Sequence, residues 1–184
     1  MQSSCLLWVS CIFLVMEGIS MSIIHYIATS DKKLTKTDYE YKFIIPNIDK
    51  NDFFYKGGIS FAENMDDAEL STVEGVFQQF NVYAIRSTMP LDYETRYKEI
   101  FSSEVARYYF EQLLWFKDFI RKLLQKNDEV FVLRLDLGIP TRLGRIKSLQ
   151  VGIDNWILDK EKDFMFEYGV VYQFVKDSVQ GNFI

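Results

Sequence analysis

The sequence predicts an α+β fold, a mainly antiparallel sheet packed against one long helix at about residues 103–126. Three observations carry that expectation. Between Ser103 and Lys126, the residues Val105, Tyr109, Leu113, Phe116, Ile120 and Leu123 recur at spacings of three and four with no Gly or Pro between them, the period of an amphipathic helix. Short apolar and aromatic runs at 22–28, 59–62, 81–86 and 129–137 have the composition of strands. These runs cluster on both sides of one helix instead of alternating with several, which argues against a doubly wound dinucleotide fold.

The elements follow in chain order. Leu6 to Met16 is an eleven-residue apolar run halted by Glu17, shorter than the roughly 20 residues a bilayer span needs. Its length suits a secretory signal, and Gly18-Ile19-Ser20 could serve as a cleavage site, but no Lys or Arg precedes it. A start of translation at Met16 or Met21 accounts better for the uncharged leader. Residues 1–20 are therefore set apart as a leader or mis-assigned start, and 21–184 are read as one domain, since no repeat or Pro/Gly/Ser linker divides them. Ser22 to Ala28 opens it as a strand. Tyr39, Tyr41, Phe43 and Ile45 alternate with Glu40, Lys42 and Ile44 up to Pro46, the period of a half-buried strand.

The long helix has its own punctuation. Ser102 or Ser103 can cap it, Glu104 suits its positive end, and Arg121, Lys122 and Lys126 suit its negative end, with Asn127-Asp128 as the break. In the strand that follows, Phe131, Leu133 and Leu135 share one face, expected against the helix, and Arg134 and Asp136 share the open one. Trp156-Ile157-Leu158 and Phe164 to Val175 flank the charged stretch Asp159 to Asp163, which reads as a hairpin.

Composition narrows function further. The 184 residues are 26% charged, 48% hydrophobic and 16% aromatic with a net charge of −5, the profile of a soluble globular chain rather than a disordered or nucleic-acid-coating one. Such a length buries about 70% of the unfolded surface and needs no metal or disulfide to hold together. Cys5 and Cys11 both lie in the leader and His25 is the one histidine. No thiolate site is available to the body, and nucleophilic triads are confined to arrangements around His25. His25 sits in an apolar run, where a structural imidazole is the simpler reading. Phosphate-binding, dinucleotide, zinc-protease, nucleophile-elbow and EF-hand motifs are all missing. No catalytic residue, metal ligand or cofactor is assigned.

Charge and helix geometry supply the candidate binding residues. From Gly57 to Ile85 there is no Lys or Arg, while Glu63, Asp66, Asp67, Glu69 and Glu74 contribute five negative charges. Such a stretch attracts a basic protein and repels nucleic acid; as a loop of no partner, it would serve solubility alone. Arg142, Arg145 and Lys147 form a basic run without interleaved aromatics, better explained as a solvated edge than as a nucleic-acid footprint. On the helix, Phe110 and Leu114 fall on the polar side among Arg107, Lys117 and Arg121. Either another segment of the chain covers them or a partner does.

Ser22-Ile23-Ile24-His25-Tyr26-Ile27-Ala28 with Asp31, the aromatic helix leading into Glu129 to Leu135, and Phe164-Met165-Phe166-Glu167-Tyr168-Gly169-Val170 together resemble a loose group of small bacterial cytosolic proteins of uncharacterised function. The resemblance implies a start near Met21 and a cytosolic life, and it carries no catalytic residue across. The leading expectation is a non-enzymatic binding protein, such as an immunity protein that neutralises a basic toxin. One rival is a small hydrolase or carbohydrate-active enzyme working through carboxylates, with Asp66, Asp67 and Glu69 or Asp154 and Asp159 as its acids. The other is a secreted surface module, if the leader is a signal.

Overall fold

A computed structural model of the chain describes residues 23–40, 59–62, 73, 75–77, 79–87, 91–136 and 147–177. In chain order the elements are β1 (Ile23–Thr29), α1 (Lys36–Glu40), β2 (Ile59–Ala62), β3 (Asn81–Ser87), β4 (Asp92–Tyr93), α2 (Tyr97–Ile100), α3 (Ser103–Leu124), β5 (Glu129–Asp136), β6 (Lys147–Gly152), β7 (Phe164–Met165) and β8 (Val170–Val175). The fold is α+β. Six strands form one sheet in the order β2-β3-β1-β5-β8-β6, antiparallel except for the last pair, and β4 with β7 forms a two-stranded ribbon.

The helix α3 forms as its spacing predicts. The Ser102 hydroxyl accepts from the Val105 N–H, and Arg121 and Lys122 occupy its last turn. Leu113, Phe116, Phe119 and Ile120 are fully buried, and each such side chain contributes about 1.5–3 kcal/mol through burial. They pack on the face of the sheet that carries Ile27, Tyr83, Ile85, Val130, Val132, Tyr172 and Phe174. Asn127 closes the helix by donating to the Leu123 carbonyl at 3.0 Å while accepting from the Lys32 N–H at 2.9 Å, so the break also fastens the end of β1.

The opposite face of the sheet is buried too, and this corrects the expected orientation of β5. Phe131, Leu133 and Leu135 point away from α3, into a second cluster with Ile24, Tyr26, Ala84, Val73 and Phe77. The register explains why: Ala28 lies opposite Phe131 and Tyr26 opposite Leu133, whereas Ile27 and Val132 form the helix-side pair. Alternation cannot rank two faces that are both apolar. Arg134, expected on an open face, is on the helix side opposite His25.

Two further expectations change. Residues 36–40 are helical where an alternating strand was expected from Tyr39 onward, and residues 41–50 lie outside the described residues. The cause is a local cap: the Asp38 carboxylate accepts from both the Thr35 N–H and hydroxyl at 2.7 Å. Lys126 then donates to the same carboxylate at 2.8 Å, tying α1 to the end of α3. The hairpin expected around 159–163 is absent. Trp156 to Leu158 is irregular, and β8 pairs with β5 on one side and, in parallel, with β6 on the other, a strand that begins at Lys147 of the basic run. The crossover from β6 to β8 lies on the helix side, where Trp156 and Phe166 join the main cluster. Gly169, at φ 66°, takes the left-handed conformation that lets the chain turn into β8. No helix among the described residues is long and apolar enough to cross a membrane.

Candidate functional site

The acidic candidates Glu63, Asp66, Asp67, Glu69 and Glu74 lie outside the described residues. Their surroundings in the chain are described. The segment leaves the edge strand β2 and returns as its antiparallel neighbour β3. Val73 and Phe77 within it are 1% and 3% exposed. Phe77 and Phe80 lie against Phe131, with ring centroids 6.1 and 4.6 Å away. The cation-free stretch is thus fastened at its downstream end over the face of the sheet that α3 leaves open, by three apolar residues within a sequence otherwise read for its charge.

Phe110 and Leu114 part company in the structure. Phe110 is half-buried with its ring edge-on to Tyr93 on β4, 5.2 Å between centroids. Leu114, one turn on, remains 44% exposed. Beside it Lys117 donates to the Trp156 carbonyl and Arg121 bridges Asp154 at 3.1 Å, so residues 154–156 run along this flank of the helix. Ile157 next to them is 80% exposed. Burial holds the Lys117 amine below its usual range, assisted by the nearby Arg121.

A group of titratable side chains not anticipated from the sequence gathers between α3, the β4–β7 ribbon and the sheet. His25 and Arg134 stand opposite each other on β1 and β5, and Arg134 donates to the Phe166 carbonyl at 3.3 Å. Asp92, 6% exposed on β4, accepts from the Tyr97 hydroxyl at 2.9 Å. The same hydroxyl reaches Glu94 at 3.4 Å. Burial raises the Asp92 carboxyl above its ordinary range although Tyr97 and the Arg134 charge oppose the shift. Burial and Asp92 also push Tyr97 far up and Tyr109 to about 12. His25 is driven down to about 3 by burial, then by Arg134. At neutral pH the cluster therefore holds a neutral imidazole and two protonated phenols beside the Asp92 carboxyl group.

Chemically this arrangement holds a carboxyl group in a low-dielectric setting, a feature that acid catalysis and structural networks share. Asp92 and His25 are nearly sealed from solvent, and each described polar contact of Asp92 is to the chain itself. The available sequence signal was Arg134, a lone cation within the apolar strand Val130 to Leu135. Asp92 and Tyr97 gave none, because their partners are set by the packing of a two-residue strand.

Of the acids considered as catalytic, the described pair Asp154 and Asp159 is held by separate local partners. Asp154 is bound to Arg121 on the helix flank, and Asp159 caps a turn by accepting from the Glu161 N–H at 2.9 Å. Among the described residues no three His, Cys, Asp or Glu side chains stand close enough to hold a metal ion. Lys147 is exposed at the start of the edge strand β6. Compared with known proteins, the chain matches no family model, no curated protein and no solved structure.

Proposed function

We propose that the chain is a non-enzymatic binding protein of the cytosol that docks a basic protein through the acidic stretch Glu63 to Glu74, in the manner of an immunity protein that blocks a toxin. The observation that supports this reading is the fastening of that stretch: Val73 and Phe77 are core residues on the face opposite α3. A charged segment anchored to a sheet loses less conformational entropy on binding than one tethered only at its ends. Its charge steers a cationic partner toward it and discourages nucleic acid.

A second reading, a carboxylate-dependent enzyme, draws on one specific observation, the raised Asp92 beside Tyr97 and Arg134. The first reading is preferred because Asp92 is 6% exposed, leaving a substrate no approach without opening of the ribbon.

The test is capture from the native host by wild type and by a variant with Glu63, Glu69 and Glu74 changed to Gln and Asp66 and Asp67 changed to Asn. The proposal expects a basic protein bound to wild type, released by rising salt, absent from the variant at unchanged melting temperature, and inhibited by the wild-type chain. Retention of the same protein by the variant would overturn it.

A further inference from the structure

The terminal strand β6 is an open edge with a charge asymmetry along its length. It pairs with β8 on one side, and among the described residues no strand lies on the other. Lys147, Ser148, Leu149 and Gln150 are all exposed, Leu149 by 48%. Such an edge offers a row of backbone N–H and C=O groups to another strand, and proteins commonly blunt it with charge, Pro or a bulge. Within β6 the sole charge is Lys147 at the first position, and there is no Pro. The exit of the strand is acidic. Asp177 accepts from the Asp154 N–H at 2.8 Å and from the Asn155 amide at 3.2 Å, so two carboxylates stand just beyond Gly152, that of Asp154 also bridged to Arg121 at 3.1 Å and exposed beside it.

We infer that β6 pairs antiparallel with β6 of a second copy of this chain across a two-fold axis. Antiparallel pairing sets the cationic entry of each strand beside the acidic exit of the other, and the symmetry makes that contact twice. Parallel pairing would set Lys147 against Lys147. Centring the axis on Gln150 places Leu149 opposite Val151 of the second copy and Lys147 opposite its Ile153, next to its Asp154. Leu149 and Val151 both belong to the helix-side face, since their neighbours on β8 are Tyr172 and Phe174. A slip of one residue would set Leu149 against a residue of the other face and separate the apolar pair. Seven paired residues on each strand, 147–153, bury less than the roughly 1,200–2,000 Å² of a stable interface, so the association is weak, reversible and sensitive to salt.

Sedimentation equilibrium of the full chain at low salt, from micromolar to about millimolar, tests this. Wild type is expected to show a monomer–dimer equilibrium. Lys147→Glu and Asp154→Lys should each weaken it by about tenfold or more, and the double exchange should recover most of the loss, the signature of direct coupling. Both side chains are exposed, and a melting curve checks that each variant folds. A wild type that stays monomeric throughout, single variants that dimerise as wild type does, or a double exchange no better than the singles would each overturn the inference; the first decides it even if a variant fails to fold. The five-residue acidic variant described above should dimerise normally, which separates this surface from the one that binds a basic partner.

Discussion

The two faces of the sheet are buried by different means. On one, α3 lays a continuous stripe of Leu113, Phe116, Ile120 and Leu123 across the strands, with the aromatic crossover of Trp156 and Phe166 beside it. On the other, Val73, Phe77 and Phe80 reach the strands from the segment that joins β2 to β3. A helix brings its apolar residues at fixed spacing and satisfies its own backbone, so its cover is rigid. Side chains delivered by a connecting segment can shift as a group. The difference assigns the larger share of stability to the helix side.

Truncation of one aromatic on each face should produce the largest difference between the two covers. Phe116 is fully buried and touches Phe166 edge-on, 6.1 Å between centroids. Phe116→Ala should cost about 3–5 kcal/mol, the range for aromatic deletions in a core that cannot collapse. Phe77→Ala, 3% exposed in the native chain, should cost less, about 2–3 kcal/mol, because its segment can settle toward Phe131. Chemical denaturation of both variants checks the order. Equal losses would mean that the two covers are equally rigid.

The buried polar group on the helix side adds a pH signature. His25 is held at about 3 in the folded chain against an ordinary value of 6.5. The unfolded chain accepts a proton that the folded one refuses, so the folded state binds fewer protons between these values. Its stability from this source is complete above pH 6.5 and is lost as pH falls toward 3, by about 1.4 kcal/mol per unit well inside the window. Between pH 7 and 5 the loss should approach about 2 kcal/mol. His25→Gln should flatten that part of the curve, measured by urea titration at each pH. Asp92 works in the opposite sense: its carboxyl is raised, so it stabilises the fold at low pH and less so as pH rises through the folded value.

These particulars also show what the sequence could and could not convey. The helix α3 was legible because period and caps agreed, and β1, β3 and β5 because their runs are apolar and bounded. The parallel strand β6 was not, since Lys147 to Gly152 is exposed at its first four positions and its pairing with β8 depends on a crossover through Trp156 and Phe166. The side of β5 that meets the helix was misread because burial on both faces removes the polar half of the alternation. α1 followed its Thr35–Asp38 cap rather than the longer alternating pattern. Of the candidate site residues, Phe110 and Leu114 were legible as an apolar pair on the polar side of the helix, though not which of the two stays exposed, and the charge of Glu63 to Glu74 as a cation-free run. The fastening of that run by Val73 and Phe77 needed the register of β5, and the grouping of Asp92, Tyr97 and Arg134 needed the ribbon.

The smallest expected effects separate Phe110 from Leu114. Their spacing made them one pair in the sequence, yet Tyr93 covers Phe110 and leaves Leu114 open. Phe110→Asp exposes the edge of Tyr93 and sets a carboxylate against an apolar surface, so a loss of about 1–2 kcal/mol is expected. Leu114→Asp removes little buried area and places its charge near Lys117 and Arg121, so its melting temperature should stay within the shift produced by about 0.5 kcal/mol. Thermal denaturation of the two variants side by side distinguishes them. If Leu114→Asp proved as costly as Phe110→Asp, Leu114 would belong to the helix-side core, and the flank between α3 and Ile157 would have to close over it in solution.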